Sequence, residues 1–217
     1  MNFELTDEQV MLAETARRVG ESFGLEYWRE KDSNEEFPHE IWQAICDAGL
    51  SGIAVPEEFG GSGLGMLEIA ICVENLCAAG GGSTLSQMFM LNPIFGGVSI
   101  ARLGTPAQKA EMLPGLVSGQ MMFAMALTEP DAGSNSLEVR TFAAAEGSGW
   151  RLSGQKVWIT CVPQADKILV VARTKTVADS ISKTDGISLF MIDREREGLT
   201  HRSIDKVGTK TLPSSFI

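Results

Sequence analysis

Histidine is almost missing from this sequence: His39 and His201 are the only two among 217 residues, and they lie far apart. A metal centre built on His ligands is therefore not expected. Cysteine is scarce as well. Cys46, Cys72, Cys77 and Cys161 form no CxxC pair. The apolar contexts of three of them read as buried free thiols. Basic residues are outnumbered, 18 Lys and Arg against 28 Asp and Glu, for a formal net charge of −10 with no basic cluster. Such a chain is repelled by nucleic acid and has no local patch to offset the repulsion, so nucleic acid is not an expected partner. No apolar run reaches the ~18 residues that suggest a membrane span. Met1-Asn2-Phe3-Glu4 opens without a basic stretch leading into an apolar one, so a secretory leader is not expected and a cytoplasmic protein with reduced thiols is.

What is present is a chain 44% hydrophobic and 21% charged, enough for one large core or two small ones and too apolar for wholesale disorder. The hydrophobic period changes part-way. In the first half, Thr6-Asp7-Glu8-Gln9 has the pattern of a capping box, and Leu12, Ala13, Ala16, Val19 and Phe23 follow at helical spacing. Pro38 suits the first position of a second helix that carries Ile41, Trp42 and Ile45 inward and stops near Gly49. The stretch 66–77 is apolar on most faces and predicts a buried helix; 88–103 predicts another, broken or kinked at Pro93. Thr105-Pro106-Ala107-Gln108 repeats the start signal for a short helix ending near Leu113-Pro114.

After Gly119 the segments 121–127, 139–144, 150–152, 156–160, 167–173 and 187–192 are short and rich in apolar and β-branched residues. Turn residues such as Gly147-Ser148-Gly149 and Ser153-Gly154 separate them. The prediction is an α+β chain: a helical domain over 1–119 and a small β-sandwich or barrel over 120–217. The polar stretch 179–185 reads as a mobile loop. Ser214-Ser215-Phe216-Ile217 resembles the start of a further strand, where a domain seldom stops, which predicts a piece of a longer protein.

Several segments carry chemical interest. Gly60-Gly61-Ser62-Gly63-Leu64-Gly65 fails the dinucleotide spacing, because Met66 stands where the last glycine belongs, and no Gly-Lys-Ser/Thr follows. It reads as a flexible connector, and Gly80-Gly81-Gly82 as a hinge or turn. Phe123–Ser136, FAMALTEPDAGSNS, passes from an apolar strand into a loop in which Pro130 fixes φ, Gly133 admits unusual backbone geometry, and Thr128, Ser134 and Asn135 offer hydrogen-bonding groups. In Lys156–Thr160, KVWIT, an indole and a hydroxyl two residues apart share one side of a strand, where they can stack on a flat ring and bond its edge. Each segment alone fits an ordinary loop or a packed tryptophan. Their combination and order are more specific.

Taken together, Phe37-Pro38, Trp42, Ala48-Gly49-Leu50 and Val55-Pro56-Glu57-Glu58-Phe59-Gly60-Gly61, then Leu103-Gly104-Thr105, Leu127-Thr128-Glu129-Pro130, Ala132-Gly133-Ser134, Lys156, Trp158-Ile159-Thr160 and Lys206-Val207-Gly208 resemble the acyl-CoA dehydrogenase family over nearly the whole chain. The resemblance implies FAD and an acyl-CoA thioester. It implies that Met125, Ala126, Leu127 and Thr128 line the pyrimidine side of the flavin, with backbone N–H groups and the Thr128 hydroxyl as donors. Trp158 and Ile159 would lie against the ring system and Thr160 near N5. Gly133 and Ser134 would sit at the flavin phosphates, Ser134 also at the CoA portion of the substrate.

The implied activity is α,β-dehydrogenation, with hydride passing to the flavin and the α-proton to a carboxylate base from a carboxy-terminal helical domain that this sequence lacks. No catalytic residue is therefore named, and Glu129 is read as a structural member of its motif. The implied partners are an electron-transfer flavoprotein or similar acceptor and, at full length, further copies in a homodimer or homotetramer. Two departures stand out: Asn135 where the family usually has Asp, and Cys161-Val162-Pro163 where it usually has Asn-Gly or Asn-Ala. They keep open a second reading, a non-catalytic flavin- or acyl-CoA-binding subunit of a heteromeric complex.

Overall fold

A computed structural model of the protein describes residues 4–217, so the reading of Met1–Phe3 lies outside the described residues. The chain forms two compact units. One gathers the chain up to Met122 with Val207–Leu212; the other holds Phe123–Lys206 with Pro213–Ile217. Among the described residues no helix is long and apolar enough to cross a membrane.

The first unit is helical. Helix α1 (Asp7–Glu21) starts at the predicted capping box: the Gln9 amide donates to Thr6 Oγ1 at 3.2 Å and the Thr6 amide to Gln9 Oε1 at 3.1 Å. Helix α2 spans Leu25–Asn34. Helix α3 (His39–Asp47) buries Ile41, Trp42, Ile45 and Cys46 and ends at Gly49, whose φ of 74° is the left-handed stop. Pro38 caps α3 rather than occupying its first turn.

Helix α4 (Met66–Leu76) buries Ile69, Ile71, Cys72 and Leu76, but Met66 and Leu67 are 49% and 58% exposed. It is therefore a one-sided helix at its start rather than a fully buried one. Gly20 of α1 sits so close to the chain after α4 that a Cβ there would lie 2.6 Å from Ala79 Cβ. The glycine run at 80–82 makes a π-helical kink, with φ of 130° at Gly80 and 49° at Gly82.

From there α5 (Gly82–Phe89), a wide π-helical stretch over Met90–Val98 and α6 (Ser99–Leu103) run on continuously. Pro93 has no N–H to give the helix, and the widened turns accommodate it without ending the run. Helix α7 (Pro106–Val117) outlasts the predicted end at Pro114, because burial of Leu113 and Leu116 holds its last turn.

The glycine connector is tied down by backbone hydrogen bonds. The Ser62, Gly63 and Leu64 amides donate to the Gly52, Val55 and Ile53 carbonyls at 3.1, 2.8 and 2.8 Å. A Cβ on Gly61 would lie 2.1 Å from the Val55 carbonyl oxygen. The glycine serves close backbone approach.

The second unit contains strands β1 (Phe123–Ala126), β2 (Phe142–Glu146), β3 (Gly149–Ser153), β4 (Ile159–Thr160), β5 (Lys167–Arg173), β6 (Ile187–Asp193), β7 (Arg202–Ile204) and β8 (Ser214–Phe216). Strand β5 is central to a five-stranded sheet. It pairs in parallel with β1 from Phe123↔Lys167 to Ala126↔Val170, meets β2 at Phe142↔Arg173, and pairs antiparallel with β6 along its length. Its burial from Ile168 to Arg173 explains its unbroken apolar run.

Strands β2 and β3 form a hairpin, and β4, β8 and β7 make a second sheet in that order. The fold is thus α+β, as read from the periods. The strand expected over 156–160 shrinks to Ile159–Thr160. The one expected from Val139 begins at Phe142, and β7 was not foreseen.

Candidate functional site

The loop after β1 is closed by a two-residue turn. Glu129 and Ala132 exchange backbone hydrogen bonds of 3.0 and 3.1 Å around Pro130-Asp131. The turn directs the Glu129 side chain inward, where it is only 7% exposed. Its carboxylate accepts from the Arg140 amide at 2.6 Å, the Thr141 amide at 2.8 Å, the Thr141 hydroxyl at 2.5 Å and Lys156 Nζ at 2.9 Å. Those amides are thereby withdrawn from sheet pairing, which is why β2 starts late.

Lys156, 2% exposed, also donates to the Leu127 carbonyl at 2.9 Å, and the Val157 amide donates to the Thr128 carbonyl at 2.9 Å. Two segments 27 residues apart in sequence are thus fastened by one buried ion pair and one backbone bond.

Burial pushes the Glu129 carboxyl up, but the Thr141 hydroxyl, Lys156 and the two amides together hold it below the usual carboxylate range. Burial pulls Lys156 down, and Glu129 restores it only in part. The lowered carboxyl favours the ion pair, whereas the lowered ammonium opposes it. The four donors converging on one carboxylate decide for the ionised form, with an ammonium aimed at two oxygens.

The residues picked from the sequence divide by direction. Ala126 is fully buried in the β-core with Ile159, while Met125 and Leu127 pack on the other side against Ala132, Val139 and Val171. The side chains of Ala126 and Ile159 therefore belong to packing, and those positions can offer a ligand only their backbone. Among the described residues no hydrogen bond uses the Thr128 amide or hydroxyl.

Gly133 and Ser134 are exposed. Gly133 is not in the left-handed region, and a Cβ on it would meet open space. The tight geometry expected of it is supplied one step earlier, by the Glu129–Ala132 turn.

Trp158 is not in a strand: its φ is 63° and it is 56% exposed, set on a bend before β4. The shared strand face proposed for Trp158 and Thr160 is therefore absent, and the indole projects by a left-handed turn instead. Cys161, closing β4, is left-handed too, at φ 60°. Non-glycine residues in this region carry strain of roughly 1–3 kcal/mol each and gather where function requires them.

The family model for the acyl-CoA dehydrogenase N-terminal domain matches residues 6–120, and that for the middle domain of the same enzymes matches 124–217. The chain belongs to the acyl-CoA dehydrogenase family. Acyl-CoA dehydrogenase FadE12 of Mycobacterium tuberculosis is 35% identical over 206 residues, 94% of this chain and 51% of that protein. A glutaryl-coenzyme A dehydrogenase in complex with glutaryl-CoA superposes with a TM-score of 0.91 at 28% identity, over all of this chain and 54% of that one. A glutaryl-CoA dehydrogenase from Mycobacterium smegmatis in complex with FADH2 gives a TM-score of 0.86 at 27% identity, covering 98% and 52%. The chain spans about half the length of the curated relatives it matches.

Three residues carry structural weight beyond the sequence reading, which quoted Lys156 only as a motif member and did not single out Thr141 or Arg173. Thr141 and Lys156 complete the Glu129 site. Arg173, 2% exposed, directs its guanidinium at the carbonyls of Val139 (2.9 Å), Leu137 (2.6 Å), Lys183 (3.0 Å) and Asp185 (3.1 Å). It pins the 179–185 stretch expected to be mobile. A charged residue closing the apolar run 168–172 was the available signal.

Proposed function

We propose that this chain is the flavin-holding portion of an FAD-dependent acyl-CoA dehydrogenase. One observation carries the reading. The segments around Thr128 and Trp158 are locked together from behind by Glu129–Lys156 and Val157–Thr128, leaving the Thr128 amide and hydroxyl unused and the indole uncovered. An unused donor pair beside an exposed flat aromatic suits a planar heterocycle with acceptor atoms on its edge.

Bound FAD supplies the two-electron acceptor for oxidation of the acyl α,β-bond. Thr128 would donate to the pyrimidine edge, where donors favour negative charge. Trp158 would cover the ring and exclude water, and Thr160 would stand at the ring's reactive edge. Gly133 and Ser134 border the phosphates or the CoA portion of the substrate, on the exposed side of the loop.

Glu129 does not take the α-proton. Its carboxylate is buried and its lone pairs are occupied by four donors. On this reading the base is a carboxylate of the kind the family resemblance implies from a carboxy-terminal helical domain, not one of the residues described above. The acceptor for the electrons is an electron-transfer flavoprotein or similar protein, and the complete protein works in the cytoplasm as a homo-oligomer.

The test is FAD titration of the chain, read by visible absorbance and tryptophan quenching. Stoichiometric uptake is expected, with quenching reduced in Trp158→Leu, which leaves three of the four tryptophans. No uptake sinks the cofactor assignment. Bleaching of the full-length protein's flavin by acyl-CoA without oxygen would establish dehydrogenation; persistence with every acyl-CoA would favour the non-catalytic subunit.

A further inference from the structure

We infer that the buried Glu129–Lys156 pair is a positioning device for FAD: Lys156, held by Glu129, grips the Leu127 carbonyl and so turns the Thr128 amide toward the flavin. The inference rests on the flavin reading above and deepens it. Its geometry is simple. In a trans peptide the carbonyl of one residue and the amide of the next point in opposite directions. The Leu127 carbonyl is taken by Lys156 Nζ at 2.9 Å, so the Thr128 N–H faces away from Lys156. The next carbonyl, that of Thr128, is taken by the Val157 amide at 2.9 Å, which fixes the same stretch a second time.

Lys156 could swing if it were free. It is not, because Glu129 Oε1 holds it at 2.9 Å, and Glu129 is itself held by the Arg140 and Thr141 amides and the Thr141 hydroxyl. The chain of contacts runs from the start of β2, through Glu129 and Lys156, to a peptide unit whose amide has no other partner among the described residues. A merely structural ion pair would need only to hold the loop to the sheet. This one also sets the direction of a single donor. Groups that are pre-aimed bind without spending energy on orientation.

The test separates holding from aiming. Lys156→Met leaves the buried Glu129 carboxylate without its counter-ion, so it should destabilise the fold and weaken FAD binding together. Adding Glu129→Gln removes the stranded charge, and the melting temperature should recover toward the wild type. FAD binding should not recover: the double variant keeps about tenfold weaker affinity, with a shifted flavin band near 450 nm, because nothing grips Leu127.

Wild-type affinity and band shape in the double variant would overturn the inference. Glu129→Gln alone, which keeps size and one acceptor oxygen, serves if the double variant does not fold. It too should weaken FAD and move the band, and unchanged values there would overturn the inference equally. Failure of the wild-type chain to take up FAD would reject the flavin reading, a result distinguishable from failure of the positioning role alone.

Discussion

Arg173 shows how a single residue can outweigh a loop. Four backbone carbonyls from two separate stretches converge on its guanidinium within the β-unit. Arg173→Met should cost about 2–4 kcal/mol, because the carbonyls lose their partner in a buried setting. Urea denaturation checks the magnitude, and faster proteolysis within 174–186 checks the place.

Glu129 makes a second residue-scale prediction. Its carboxyl is held below the ordinary value of 4.5, so the folded state binds its proton more weakly than the unfolded chain does. That stability is present above about pH 4.5 and drains away as pH falls through the lower folded value. Unfolding free energy measured between about pH 5 and 3 should fall less steeply in Glu129→Gln than in the wild type. Glu129 was legible as a member of its motif and Arg173 only as a charge closing an apolar run. Their partners were not, because the Thr141 hydroxyl and a row of backbone carbonyls leave no mark on residue type.

At the level of elements, local signals were legible where the physics is local. The Thr6 and Thr105 capping boxes and the Gly49 stop stand where the sequence put them. One error came where burial overruled a local rule: α7 passes Pro114 because Leu116 is buried, whereas the disturbance expected at Pro93 takes the form of widened turns rather than a break. The Trp158–Thr160 relation failed for another reason. Alternation holds only inside a strand, and a left-handed residue takes the indole out of it. The glycine loop before α4 gives an element-scale test. Gly61→Ala drives a methyl into the Val55 carbonyl, with only backbone to give way, and should cost about 1–3 kcal/mol by thermal or urea melting. Gly63→Ala, with φ of 63° but no backbone so near, should cost less.

Over the whole molecule, the family was legible because its signatures are strung along almost the full length and two family models match consecutive halves. The scarcity of cysteine also becomes a testable property. Cys46, Cys72 and Cys161 are buried free thiols, pushed up by burial to about 11, about 12 and about 12, while Cys77 is half-buried and raised as well. Since the thiolate is the reactive form, a thiol reagent at about pH 8 should label the native chain at Cys77 slowly and at the other three only after unfolding. Intact mass before and after denaturant counts the labels.

The two left-handed residues that bracket β4 also restrict how this part of the chain can vary. Trp158 and Cys161 stand at φ of 63° and 60° on either side of a two-residue strand paired to β8. A shift of pairing by one residue would carry one of them into the ladder with a backbone angle that no strand accepts. Handedness therefore works as an index mark at each end of Ile159-Thr160. A length change between the indole and the thiol should therefore cost stability, whereas glycine or asparagine at either bracket satisfies the backbone angle but gives up the indole of Trp158 or the buried packing of Cys161.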